Sequence, residues 1–305
     1  LFKSYVDGAF KLLSPEKSIE IQRNLGADLI LVFDECTPFH VDKDYTSSSM
    51  KRSHRWATRS FNRFETNILF KSGFGSAGEQ KLYGIVQGGI YDDLREESID
   101  FNLNKIDTFG IAIGGSLGST KEEMYRVVNF TAPKLGDKHP IHLLGIGDPR
   151  DIWSLVKSGI DTFGIAIGGS LGSSKEEMYR VVDFTGPRLG TKHPVHLLGI
   201  GDPRDIWSLV KSGVDTFDCV SPTRLARHGS ALKKGKEGKI NIKNKNYANE
   251  MLPIDENCNC PTCSSYSLAY IHHLFKAGEL LGLQLVTAHN IFFMNKLMSD
   301  IRNAI

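Results

Sequence analysis

Asp107-Thr-Phe-Gly-Ile-Ala-Ile-Gly-Gly115-Ser-Leu-Gly-Ser-Thr120-Lys-Glu-Glu123 holds a strand, a loop and a helix start in immediate succession. Phe109 to Ile113 is an apolar run of the kind buried on both faces of a parallel sheet, and Gly114-Gly115 ends it. Thr120, with Glu123 three residues on, is a capping box that opens a helix. Ile141 to Ile146 is a second apolar strand. Asp148-Pro149 then pairs an N-cap acid with a proline at the first helical position, and that helix runs to about Gly159. The alternation β-α-β-α with short connections predicts a parallel sheet, a TIM-type (β/α) barrel or part of one. The same 54 residues then return: 107–160 and 161–214 align without a gap and differ at seven positions, among them Thr120/Ser174, Asn129/Asp183 and Ile141/Val195. Each copy holds two strand–helix pairs, so this is not a solenoid period.

Upstream, Ser14-Pro15-Glu16 is a helix start and Gly26 its stop. Leu29 to Phe33 is a buried strand ending in Asp34-Glu35-Cys36. Residues 48–70 read as a helix whose Ala57, Phe61, Phe64 and Ile68 share one face. Lys51, Arg55, Arg59 and Arg63 form a row along it that fits either a solvated face or phosphate contact. Gly73 to Gly78 is a flexible link. Leu82 to Val86 is a strand ending in Gln87-Gly88-Gly89. Seven strand tips are expected, near residues 33, 86, 113, 145, 167, 199 and 218, enough for an incomplete or irregular barrel. The expected division is a partial barrel over 1–230 and a Lys-rich hairpin with a metal-binding helical lobe over 231–305.

With 305 residues, 40% hydrophobic, 24% charged and a net charge of +2, the composition is that of a soluble globular protein. So small a net charge means that affinity for nucleic acid must come from local patches. No apolar run approaches a membrane span and no secretory signal is present, so the expected location is cytoplasmic.

Two stretches carry chemistry. In Val214 to Gly229, a short apolar strand carries Asp218, Ser221-Pro222 ends the strand, and Arg224, Arg227 and His228 follow. Asp218 is either a nucleophile beside a polyanion site or a structural acid capping the next turn. In the C-terminal lobe, Cys258, Cys260 and Cys263 with His289 offer three thiolates and an imidazole. That donor set suits a closed tetrahedral zinc site of structural rather than catalytic type. Spacing alone leaves His272 and His273 open as the fourth ligand.

Together these stretches resemble one family, the tRNA-guanine transglycosylases (queuine tRNA-ribosyltransferases). The resemblance is carried by Phe33-Asp-Glu-Cys-Thr-Pro38, Gly84-Ile-Val-Gln-Gly88, Ile113-Gly-Gly115, Leu143-Leu-Gly-Ile-Gly147, Asp215-Thr-Phe-Asp-Cys219 through Arg227, and Cys258 to His289. It implies a TIM-type barrel with an inserted zinc lobe, and exchange of the wobble guanine in a tRNA anticodon loop for a 7-deazaguanine (preQ1 or queuine) on the way to queuosine. Carried over, Asp218 is the expected nucleophile of a covalent ribosyl-aspartate intermediate. Asp34 and Gln87 grip the edge of the base, with Gln87 donating to its O6. Gly115, or its copy Gly169, contacts the base through the backbone, and Leu144 or Leu198 lines the pocket. Gly145, Gly199, Thr223, Arg224 and Arg227 belong to RNA-contacting loops. Cys258, Cys260, Cys263 and His289 hold the zinc, and a homodimer built partly through the zinc lobe is in keeping with the family.

Two departures qualify the expectation. The family's earlier Asp-Ser-Gly-Gly-Phe-Gln-type strand, whose Asp handles protons at the base, has no counterpart here, so activity of this chain alone is expected to be impaired. The duplication repeats the Gly-Gly of the base site but not the nucleophile, since Gly164 stands where Asp218 stands one copy later. A smaller departure is the short Ser116-Leu117-Gly118 loop. The alternative function is a catalytically inactive tRNA-binding remnant with an intact zinc lobe.

Overall fold

The computed structural model describes residues 1–4, 7–66, 80–136, 138–144, 151, 154–155, 157–163, 165–166, 174–189, 194–235 and 237–305. Two compact units divide the chain: Leu1–Arg23, Ala27–Phe70 and Glu79–Ile165 form the first, and Asn24–Gly26, Lys71–Gly78 and Ala166–Ile305 the second.

The first unit begins with a small antiparallel hairpin, β1 (Phe2–Lys3) with β2 (Phe10–Lys11). Helix α1 (Pro15–Leu25) starts at the expected proline, with Ser14 Oγ accepting the Lys17 N–H at 3.2 Å, and stops at Gly26. A parallel sheet follows in the order β3 (Leu29–Leu31), β4 (Lys81–Val86), β5 (Gly110–Ile113), β6 (Ile141–Leu143) and β7 (Thr162–Phe163). Between its strands run α2 (Lys43–Glu65), α3 (Asp92–Asn104) and α4 (Lys121–Leu135). Helix α2 starts earlier than the apolar pattern indicates, because the Asp42 carboxylate accepts the Tyr45 N–H at 2.8 Å and caps it. Ile68 and the 73–78 link lie outside the described residues.

Ile19, Ile30, Val32, Ala57, Leu82, Ile85, Ile106 and Ala112 make the apolar core under this sheet, with Phe61 and Phe64 of α2 packed against them. Ile30 is wholly buried. Truncating it to alanine would cost about 2–5 kcal/mol through lost burial and the cavity left behind.

The second unit holds a parallel sheet of order β10-β9-β8, with β8 (Ile165–Ala166), β9 (His196–Leu198) and β10 (Thr216–Asp218). Helices α5 (Lys175–Leu189) and α6 (Pro203–Lys211) accompany it. The cap expected from Asp-Pro is seen at the second copy, where Asp202 accepts the Arg204 N–H at 3.1 Å; Asp148-Pro149 lies outside the described residues. Helix α7 (Ser221–Arg227) leads into the lysine-rich hairpin β11 (Ser230–Leu232) and β12 (Lys239–Asn241), then α8 (Pro261–Ser265), α9 (Leu268–Ala277) and α10 (Leu280–Ala304).

Several contacts recur at matching places of the two copies. In the first, Lys121 and Tyr125 reach the buried Asp151 at 3.1 and 2.6 Å. In the second, Lys175 and Tyr179 reach the buried Asp205 at 2.7 and 3.0 Å. Asp161 accepts the Ile141 N–H at 2.8 Å, and Asp215 accepts the Val195 N–H at 2.7 Å.

One expected strand divides in two. Thr162–Phe163 pairs with β6, whereas Ile165–Ala166 belongs to the other sheet. The registers explain this: Thr162 sits opposite His142 as Thr216 sits opposite His196, so the start of the second copy is used to finish the first. Strand tips expected near 145 and 167 lie outside the described residues. No described helix is long and apolar enough to cross a membrane.

Candidate functional site

In the first unit, Asp34 and Gln87 meet at adjacent strand ends. Gln87 Nε2 donates to Asp34 Oδ2 at 2.7 Å. Asp34 sits just past β3, where the backbone leaves the sheet and needs other partners. Serines on the inner face of α2 supply them: Ser60 Oγ accepts the Phe33 N–H at 3.0 Å and Ser53 Oγ accepts the Glu35 N–H at 2.9 Å. Burial raises the Asp34 carboxyl above its ordinary range, against the opposing hydrogen bond from Gln87.

Gln87 is fully buried, and its Oε1 has no hydrogen-bond partner among the described residues. The reverse amide orientation would aim Oε1 at the carboxylate oxygen, so Asp34 fixes which end faces outward. Gln87 therefore offers its Oε1 as an acceptor, while Nε2 keeps a second hydrogen beside the one given to Asp34. Gly115 lies beside it at φ +72, and a Cβ there would stand 2.5 Å from Gln87 Oε1. Only glycine leaves that acceptor open and holds this backbone without strain. Leu144, past the end of β6, is partly exposed. Gly145 and Gly169 lie outside the described residues.

Helix α3 supplies what sequence reading missed. Arg95, Ser98 and Asn102 are all buried on its sheet-facing side. Ser98 Oγ accepts the Gln87 N–H at 3.0 Å and touches His54 Nε2 at 2.9 Å, while Asn102 Nδ2 donates to Ile85 O at 2.9 Å. Their only signal in the sequence is the spacing i, i+3, i+7, which for polar residues marks a solvated face by default.

In the second unit, Asp218 ends β10 paired with Leu198, and its side chain is exposed. The Gly199 N–H donates to Asp218 Oδ1 at 3.1 Å and to Asp218 O at 2.8 Å. Burial pushes the adjacent Cys219 thiol up, so it stays protonated. Burial also pushes the His196 imidazole down, against the pull of Asp218, and its Nδ1 lies 2.7 Å from Thr216 Oγ1. Arg224 and Arg227 are exposed on α7, with Thr223 Oγ1 bonded to Val220 O at 3.2 Å. The row on α2 is less available: Arg59 is bidentate to Glu16 at 2.6 and 2.7 Å, and Arg63 pairs with Glu20 at 2.8 Å. Acids from α1 thus neutralise half of it, which favours the solvated-face reading.

The metal ligands converge. Cys258, Cys260, Cys263 and His289 bring their ligand atoms within 4.8 Å of one another. His289 Nδ1 lies 3.8, 3.5 and 3.4 Å from the three sulfurs in turn. Zn–S bonds of about 2.3 Å and Zn–N bonds of about 2.0 Å, set tetrahedrally, would put sulfur and nitrogen about 3.5 Å apart, so the donor set fits a metal ion. His289 Nε2 is held by Leu232 O at 2.8 Å, a bond that fixes the ring's tautomer and aim. His289, not His272 or His273, is the histidine that joins the three cysteines; His272 Nδ1 lies 2.7 Å from Ile242 O, and His273 is exposed. Next to His289, the fully buried Asn290 accepts the Leu232 N–H at 2.8 Å and donates to Pro222 O and Ser230 O at 3.0 Å each. The metal helix thereby holds both ends of the arginine-bearing segment.

Parallel α/β sheets with acid and amide at adjacent strand ends, and a lobe with a Cys3His cluster, define the class of protein. A family model described as Queuine tRNA-ribosyltransferase matches residues 1–164 and again 162–305. The chain belongs to that family. Proteins named Queuine tRNA-ribosyltransferase from Roseiflexus sp. (strain RS-1), Fusobacterium nucleatum subsp. nucleatum and Zymomonas mobilis subsp. mobilis are 39%, 37% and 37% identical to it, each over 100% of the chain. The chain spans 63%, 64% and 63% of the length of these relatives.

Proposed function

We propose that the chain carries out base exchange at the wobble guanine of tRNA, replacing guanine by a 7-deazaguanine. The observation that carries this reading is the Asp34–Gln87 pair, held at 2.7 Å, with the buried Gln87 Oε1 unpartnered beside Gly115. An ionised carboxylate and an amide oxygen form an acceptor-rich face. It suits the N1–H and N2–H edge of a guanine-type base and repels the N1 acceptor of adenine. The target base must leave the anticodon stack to reach such a face.

In the reaction, a carboxylate oxygen of Asp218 attacks C1′ of the ribose as the C1′–N9 bond breaks, and the bond's electron pair leaves with guanine. The ring nitrogen of the incoming base then attacks C1′, loses its proton to solvent and frees Asp218, so configuration is retained over two displacements. Arg224, Arg227 and Thr223 are assigned to neighbouring phosphates, and Leu144 to the base. The strands are read as parts of an interrupted (β/α) barrel. The metal is read as zinc, whose role at a closed four-ligand site is structural.

Incubation with radiolabelled guanine and a tRNA bearing a wobble guanine tests the proposal. Label should enter the tRNA, and a covalent protein–tRNA adduct should appear on a denaturing gel. Binding of tRNA with neither would leave the inactive-remnant reading in its place.

A further inference from the structure

We propose that Arg95 is a positioning residue for base recognition: it locks the loop after β4, which carries Gln87, to the loop after β5, which carries Gly115. The inference rests on the base-exchange reading of this site. Arg95 is wholly buried, and its guanidinium donates to four backbone carbonyls. Nε reaches Gly89 O at 2.8 Å, Nη1 reaches Val86 O at 3.1 Å and Gly114 O at 2.9 Å, and Nη2 reaches Ser116 O at 3.2 Å. Val86 and Gly89 bracket Gln87, and Gly114 and Ser116 flank Gly115. One planar group therefore spans both sides of the open acceptor. Its Nη2 lies 3.8 Å from the place where a Cβ on Gly115 would stand, and Gln87 Oε1 lies 2.5 Å from the same place.

Among the described residues no carboxylate pairs with this cation. Burial alone pushes the guanidinium down to about 9, so it remains charged at neutral pH. A buried charge held only by main-chain carbonyls is costly to keep, and packing α3 on the sheet would not require it. The five donors of arginine in a fixed fork are what two separate loops need. Lysine's three donors radiate from a single atom and cannot reach all four carbonyls. Loosening the loops moves Gln87 Oε1 relative to Gly115 and spoils the spacing that a rigid base must match. It leaves the tRNA contacts assigned to Arg224 and Arg227 unchanged.

The test is Arg95→Lys in the full chain, with Arg95→Met as a second variant that removes the charge. Steady-state exchange should show KM for guanine raised about 10–100-fold, with KM for tRNA within about 2-fold of wild type. Amide hydrogen exchange should speed up in residues 87–91 and 114–118, and stay unchanged in β3 and in the zinc lobe. Unchanged exchange in those two loops overturns the lock. Faster exchange with KM for guanine unchanged, or with both KM values raised alike, reduces Arg95 to a structural role and also overturns the proposal. A wild-type chain that neither exchanges nor binds guanine sinks the base-exchange reading itself, and is told apart because it fails before any substitution is made.

Discussion

The strand that follows the first copy and the strand that follows the second lie on their neighbours in one register. Leu143 faces Phe163 in the first unit, and Leu197 faces Phe217 in the second. The next residue is Gly164 in one and Asp218 in the other. The same frame is thus built twice, and the Asp34–Gln87 pair belongs to the first unit while Asp218 and the Cys3His cluster belong to the second. Duplicating a strand–helix cassette copies packing, caps and buried triads, because all of these are internal to it. It does not copy groups that lie on strands outside it, such as Asp34, Gln87 and Asp218.

Loss of the metal should separate the two regions most. Structural zinc contributes on the order of 10 kcal/mol in small metal-held lobes, and here Cys260 and Cys263 are part of the lobe's own apolar core with Ala226, Ile271 and Val286. Cys260→Ser or chelation should remove hydrogen-exchange protection across α8 to α10 while β3 to β6 keep theirs. A variant with wild-type protection in the lobe would remove the metal from the account of its stability.

Asp218→Asn comes next. With Gly164 at the matching place of the other copy, no second carboxylate can replace it. Exchange should fall by about four orders of magnitude, with tRNA affinity retained. An adduct that survives on a denaturing gel would refute Asp218 as the nucleophile.

Acid should act on the first unit through His54. Burial pushes this imidazole down to about 4, below its ordinary value of 6.5, and it stacks on Phe101. The folded state binds fewer protons than the unfolded chain between those two values, so stability falls as pH drops from about 6.5 to about 4. The loss is roughly 3 kcal/mol over that window. His54→Gln should flatten the slope there, and a slope unchanged by the substitution would assign it to other groups.

The smallest expected effect lies in the packing of the copies themselves. Ala132 is buried in the first, but its counterpart Gly186 has Ser212 O only 2.1 Å from where a Cβ would stand. Gly186→Ala should cost about 1–3 kcal/mol in chemical denaturation, by overpacking. No cost would mean that the two helices pack on their turns alike.

Much of this was legible from local sequence. The proline and glycine that bound α1, the Thr120 cap, the second copy's Asp-Pro cap and the close Cys258–Cys263 spacing act within a few residues, and each appears where it was expected. The long-range choices were not legible. Spacing left three histidines open; the fold brings His289, and neither of the other two, into the cluster with the sulfurs. The α3 stripe looks solvated until β4 and β5 bring four carbonyls to Arg95.

By itself the sequence determined the parallel α/β alternation, the tandem copy, the family and the three cysteines of the candidate metal cluster. These follow from short-range periodicity, caps and ligand spacing. Only the tertiary structure decided that Thr162–Phe163 and Ile165–Ala166 fall in different sheets, that Gln87 pairs with Asp34, and that a buried arginine joins two loops. Identical copies offer identical edges to every partner strand, and a buried polar group takes its role from the atoms that the rest of the fold brings to it.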